Sequence, residues 1–237
     1  MPDTLPITYR FVFDDGVERD FTFEFDARTL SLIQPEGRQH PEWARLDFFK
    51  CPNCPLDPAE HRECPAAANL FRPIVAFKDF VSYDQADVYV ETPSRQYFRR
   101  TPLHVGLGSM AGLIMATCGC PILGRLKPMA RFHLPFADEN ETTYRVLSMY
   151  LMAQFLKEKE GDDGDWTLDG LARMYHEVMT VNKHFVTRLQ NIPIKDASLN
   201  AVITLDCFAM TVSFAVEQDM LEDIQNLFRD YLSSPKC

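Results

Sequence analysis

Four of the seven cysteines in this chain are followed directly by proline. Three of them fall in one short run, Cys51-Pro52-Asn53-Cys54-Pro55 and then His61-Arg62-Glu63-Cys64-Pro65, and the fourth pair is Cys120-Pro121. With proline at about 5% of average sequence, four such pairs among seven cysteines arise by chance in well under roughly one chain in a thousand, so the pattern needs a physical cause. Cys-x2-Cys places two thiolates on a single turn, where both can bind one metal. A proline after each cysteine stiffens that turn and removes a competing backbone N–H. The first three cysteines are therefore expected in a proline-rich loop.

Length and charge limit what the loop can mean. At 237 residues and 46% hydrophobic content the chain can bury one large core or two small ones, so metal is not needed simply to fold it. No basic segment followed by an apolar run comes after Met1-Pro2-Asp3-Thr4, which makes the expected address cytoplasmic. Thiols there stay reduced, and an odd count of cysteines reads as ligands or reactive groups rather than a disulfide framework. A net charge of −10 argues against a nucleic-acid partner. Its distribution is uneven: Thr92 to Ala137 holds no acid but carries Arg95, Arg99, Arg100, Arg125, Lys127 and Arg131, while Asp138 to Asp169 is rich in acids. Either these stretches neutralise one another, or Arg125 and Arg131 line an anion pocket beside the cysteines, open to an anionic small molecule or an acidic protein partner.

The N-terminal residues alternate as strands do. Ile7, Tyr9, Phe11 and Phe13, then a turn at Asp15-Gly16, then Phe21, Phe23 and Phe25 predict a hairpin with six aromatics on one face, which downstream helices must cover. A third strand is expected at 29–33, ended by Pro35-Glu36-Gly37, and a short helix from Pro41 to Phe49. After Cys64-Pro65 the run to Phe71 favours helix, with a break or kink at Pro73. A second hairpin is expected from 87–91 and 96–100.

Leu103 to Gly124 carries no charged side chain. His104, three glycines and the Cys118-Gly119-Cys120-Pro121 break leave a helix of about 14 residues, typical of a buried core element rather than a span. The spacing of Gly106, Gly108 and Gly112 resembles a dinucleotide loop, yet the acid that would bind ribose is missing, and close helix packing explains the glycines better. Beyond this, helices are expected over 142–158, from a Thr167 cap to Pro193, and from Ser198 to Leu232, with Cys207 a packed thiol. The fold class is thus α+β: a hairpin layer at 1–40, a cysteine-bearing middle at 41–137 and a helical bundle at 138–237.

Cys51, Cys54 and Cys64 form a three-ligand unit that needs a fourth member. His61 would complete Cys-x2-Cys-x6-His-x2-Cys, which has the ligand types of a zinc knuckle but neither its compact spacing nor its basic surroundings. Cys120 is preferred, since it alone outside the loop shares the following proline and sits where an apolar helix ends. Cys118 stands by as a substitute. Structural zinc sites usually pair two Cys-x2-Cys arms, whereas one arm, one distant cysteine and a fourth from a separate helix suit the larger cube of a [4Fe–4S] cluster. Other chemistry is thin. His176 and His184 stand eight apart and match no zincin or di-iron pattern, and nothing fixes the distance from His104 or His133 to a thiol.

The runs CPNCPLDPAEHRECP and ATCGCP resemble the cysteine pattern of an uncharacterised bacterial protein family, a resemblance that implies no activity. The Cys-Pro feature is similar to bacterial ferredoxin ligand loops, although no Cys-x2-Cys-x2-Cys run is present. The expected function is a metal-centre protein acting as a sensing or interaction module. The alternatives are a redox or metal-dependent enzyme using Cys118 and Cys120, and a scaffold with structural zinc.

Overall fold

The computed structural model describes residues 3–34, 39–217 and 222–233. The chain forms two compact units, one of Met1–Phe136 with Thr180–Asp206, the other of Ala137–Met179 with Cys207–Cys237. Strands at the N-terminus and helices after them make the class α+β.

The first unit is built on a four-stranded antiparallel sheet. Strands β1 (Thr4–Phe13), β2 (Glu18–Asp26), β3 (Gln85–Thr92) and β4 (Arg95–Pro102) lie in the order β2-β1-β3-β4, so both predicted hairpins are present. Alternation puts Ile7, Tyr9, Phe11, Phe13, Phe21 and Phe25 on the buried face with Ala86, Val88 and Val90, while Phe23 is half-buried. The expected third strand is only a single bridge between Phe25 and Leu32, and Pro35 to Gly37 lie outside the described residues. Helical residues downstream cover the aromatic face, as expected. Phe77, at the end of helix α1 (Pro65–Ala76), meets Phe11 and Phe21 at ring-centroid distances of 5.0 and 5.6 Å.

Helix α2 (Leu103–Thr117) is almost wholly buried, as expected of a core element. Its glycines serve close packing: a Cβ at Gly106 would stand 2.9 Å from Phe11 and 3.0 Å from Val88, and one at Gly108 would stand 3.3 Å from the Ala201 carbonyl. The break expected at Pro73 is not seen, and a second local expectation fails. Helix α1 runs on through Pro73 to Ala76, where the Phe77 N–H returns to the Pro73 carbonyl at 3.1 Å. The helix expected from Pro41 to Phe49 shrinks to a 3-10 turn, Glu42–Ala44, because Arg45 turns extended and bridges to Glu63. After Cys120 come a 3-10 turn, Leu123–Leu126, and helix α3 (Lys127–Arg131).

The second unit is helical. Helix α4 (Glu139–Glu160) opens on a capping box in which Asp138 accepts from Glu141 N–H and the Glu141 side chain accepts from Asp138 N–H. Helices α5 (Asp169–Gln190) and α6 (Asp196–Glu217) each contribute to both units. The cap before α5 is Asp165 and not Thr167: its carboxylate accepts the Gly170 N–H at 2.6 Å, the Thr167 N–H at 3.0 Å and the Tyr150 hydroxyl at 2.7 Å. These bonds, the Tyr150 one first, hold the Asp165 carboxyl well below the usual range. The single long helix expected to Leu232 is replaced by α7 (Glu222–Leu227) and α8 (Arg229–Ser233), which break at Phe228.

Helix α6 is much less buried than its apolar composition would lead one to expect. Only 33% of its most apolar window is buried, Ile203, Met210 and Phe214 are exposed, and Cys207 is an exposed thiol rather than a packed one. By length and composition it is the one helix among the described residues able to cross a membrane, a test that core helices also pass.

Candidate metal centre

Each cysteine of the set is placed by a specific backbone device. Cys51-Pro52-Asn53-Cys54 is a tight turn closed by the Cys54 N–H on the Cys51 carbonyl at 3.0 Å, with proline at its second position, where φ is already set. Cys64 is the residue before the first turn of α1, and Pro65 occupies the first helical position, where a missing N–H costs nothing. Its own N–H donates to the Ala44 carbonyl at 2.8 Å, and the Leu46 N–H donates to the Arg62 carbonyl at 3.0 Å. This short antiparallel contact closes the loop of residues 47–61 at its base.

Cys120 arrives from the other side of the sequence. Helix α2 ends at Thr117 with Cys118 as its cap, and Gly119 takes a left-handed conformation with φ of +93°, which favours glycine and turns the chain out of the helix. The next residues resume helical bonding, with the Gly124 N–H on the Cys120 carbonyl at 2.8 Å. Because Pro121 has no N–H, the next two amides, Ile122 and Leu123, are the ones that reach the Cys120 sulfur, and both stabilise its charged form.

The five thiols of Cys51, Cys54, Cys64, Cys118 and Cys120 are reduced and half-buried. Burial pushes the Cys51 thiol up to about 12, and the charges of Cys64, Cys54 and Cys120 push it the same way, which means that those sulfurs lie within one another's electrostatic reach. Among the described residues no group of three or more His, Cys, Asp or Glu side chains could hold a metal ion. The four sulfurs therefore feel one another's charge but form no group able to hold a metal ion.

Cys118 and Cys120 differ in what their sulfurs do. The Cys118 S–H donates back to the Met115 carbonyl at 3.2 Å, and burial raises its pKa strongly. Burial also raises that of Cys120, and backbone amides offset part of the rise at both sulfurs, those of Leu123 and Ile122 at Cys120 and those of Cys120 and Cys118 at Cys118. His61 is exposed on the turn that Asp57 organises.

Arg125 and Arg131 lie on successive elements after Cys120. Both are exposed: Arg125 donates from Nε to the Ile122 carbonyl at 3.4 Å, and Arg131 lies over the Phe132 ring at 5.8 Å. The other cations of the stretch are met piecemeal. Arg100 pairs with Asp14 of the first hairpin's turn at 2.8 Å and with Asp87 of β3 at 3.2 Å, not with acids of 138–169.

One residue beside the cysteines was missed in the sequence. Arg188 on α5 is the largest fully buried side chain among the described residues and donates from Nη1 to the Trp43 and Arg45 carbonyls at 2.5 and 2.8 Å. The available signal was its position seven residues after Val181 and three after Phe185, on the buried face of an amphipathic helix.

The chain belongs to the DUF6901 family, described as a domain of unknown function, whose profile matches residues 7–229. No curated protein and no solved structure matches it.

Proposed function

We propose that this DUF6901 protein is a cytoplasmic metal-centre protein in which Cys51, Cys54, Cys64 and Cys120 hold one centre, and that the centre serves sensing or interaction. The observation that carries this reading is the convergence of all four Cys-Pro thiols of the sequence, from a loop before α1 and a turn after α2, into one electrostatic neighbourhood. A [4Fe–4S] cluster is favoured over zinc. The ligand pattern favours it: one Cys-x2-Cys arm, one more distant cysteine and a fourth from a separate helix, rather than the two Cys-x2-Cys arms usual for structural zinc. Amide donors to the Cys120 sulfur are the kind of contact that tunes such clusters.

The redox reading of Cys118 and Cys120 has less support, since a thiol spent on the Met115 carbonyl and raised by burial is a poor nucleophile. We further propose that the CPNCP…CP…CGCP pattern is a feature of the family, and that the exposed edge bearing Arg125 and Arg131 is where an anionic small molecule or an acidic protein would meet the chain.

Optical absorption tests the main reading. Protein purified without oxygen is expected to be brown, with iron at near one cluster per chain. Colourless protein with one zinc would keep the ligand set and change the metal, and metal-free protein that stays folded would end the proposal.

A further inference from the structure

Cys51 and Cys54 are two thiols whose relative placement the backbone itself fixes. The Cys54 N–H donates to the Cys51 carbonyl at 3.0 Å, which makes Cys51-Pro52-Asn53-Cys54 a β-turn and holds its end Cα atoms within about 7 Å of each other. A disulfide needs Cα atoms roughly 4.4–6.8 Å apart, so bridging this pair asks for little movement of the backbone. Pro52 presets φ at the second position of the turn, so the turn stands before any bond forms between the sulfurs. An oxidant can also reach it, since both thiols are only half-buried and Pro52 and Pro55 are exposed. The other close pair differs: the Cys118 S–H is engaged by the Met115 carbonyl at 3.2 Å, and Gly119 between the two cysteines is left-handed.

We propose that Cys51 and Cys54 are a redox-active dithiol that a disulfide oxidant converts to an intrachain bridge across the turn. This goes beyond the metal-centre reading and needs no metal. With glutathione disulfide as the oxidant, the thiolate of one cysteine attacks a glutathione sulfur and releases one glutathione thiolate. The other cysteine then loses its proton and attacks the protein sulfur of the mixed disulfide, which releases the second glutathione. Two cysteine sulfurs are oxidised, one glutathione disulfide is reduced to two thiols, and one Sγ–Sγ bond takes the place of two S–H bonds. In an unfolded chain, closing a loop of four residues costs entropy worth about 20-fold in the closure constant. A turn already formed in the native chain has met that cost. Bridges of this kind in a reducing compartment are transient or redox-sensing, which matches a sensing role.

The test equilibrates the full chain, reduced and freed of metal by chelator, in glutathione redox buffers, once native and once unfolded in urea. Free thiols are then alkylated and the bridge is mapped by mass spectrometry. The expected result is joint loss of the Cys51 and Cys54 thiols in one two-electron step, a bridge between these two, and a native closure constant about 20-fold above that in urea. Cys51→Ser and Cys54→Ser should each abolish the step and leave the remaining cysteine as a mixed disulfide with glutathione, while Cys118→Ser keeps the step. A bridge mapped to Cys64 or Cys120, glutathione adducts on both Cys51 and Cys54, or closure no more favourable in the native chain than in urea would overturn the inference. Metal content, read separately by absorption, decides the metal-centre reading and is untouched by either result.

Discussion

Two regions stand out in the sequence for the same reason, a residue type crowded far beyond expectation, and the fold treats them in opposite ways. The Cys-Pro set comes from two separate parts of the chain and ends in one neighbourhood. The six cations between Thr92 and Ala137 come from one part of the chain and are divided among three elements: Arg95, Arg99 and Arg100 on β4, Arg125 on the 3-10 turn, Lys127 and Arg131 on α3. Three of them meet different neighbours: Asp14 and Asp87 for Arg100, Ser31 for Lys127 and the Phe136 carbonyl for Arg99. A run of like charge says nothing about backbone shape, so the fold is free to disperse it. A Cys-Pro pair sets the backbone at that cysteine, and four of them make four preformed corners that the fold can bring together.

The sharpest way to break this contrast is to separate the two thiols of the CGCP turn. Cys120→Ser is expected to weaken metal binding by at least about 100-fold, since a serine oxygen is a poor replacement for a soft thiolate, while Cys118→Ser should retain most of it. Metal titration of both variants reads the difference. If Cys118→Ser shows the loss and Cys120→Ser does not, the ligand moves two residues and the amide donors at Cys120 lose their assigned role. Loss in His61→Ala alone would restore the knuckle-like arrangement.

Much of the fold was legible because its signals are local. The alternation of Ile7 to Phe13 and Phe21 to Phe25 needs nothing beyond the pleat, and the turn at Asp15-Gly16 is set by the same residues. The glycines of α2 were readable as packing because no ribose-binding acid came after them. What escaped depends on long-range partners. The Pro41 to Phe49 segment has helical residues, yet the bridge from Arg45 to Glu63 and the bonds from Arg188 hold it extended. Helix α6 looks central by composition, but no local rule says which of its faces the rest of the chain covers. At the site, the turn chemistry of Cys51, Cys54 and Cys64 was visible. Arg188 was not, since a single charged residue on an apolar helix face usually snorkels to the surface.

A smaller effect sharpens the packing side of the comparison. Gly106→Ala would drive a Cβ to 2.9 Å from Phe11 and is expected to cost about 1–3 kcal/mol by overpacking, read as a lower midpoint in urea. Gly124→Ala, beside the CGCP turn with nothing within 4 Å of its Cβ, should stay within about 0.5 kcal/mol of the wild type. Equal costs at both positions would mean that α2 does not pack on the sheet through Gly106.

The smallest effect concerns the dispersed cations. If the Arg125 and Arg131 edge takes an anion, phosphate at a few times its Kd should stabilise the protein by about 1 kcal/mol or less, more than matched chloride does. Replacing both arginines by Gln should abolish the gain without unfolding. A rise in Tm that is equal in chloride, or that survives the double substitution, would leave these side chains as solvated charge.

The most direct test of the central claim, that the four Cys-Pro thiols share one centre, is X-ray absorption at the metal edge of protein purified without oxygen. The account predicts a first shell of sulfur alone, with a short iron–iron distance if the centre is a cluster, or four sulfurs at about 2.3 Å if it is zinc. A nitrogen- or oxygen-dominated shell, or no bound metal in folded protein, would contradict it.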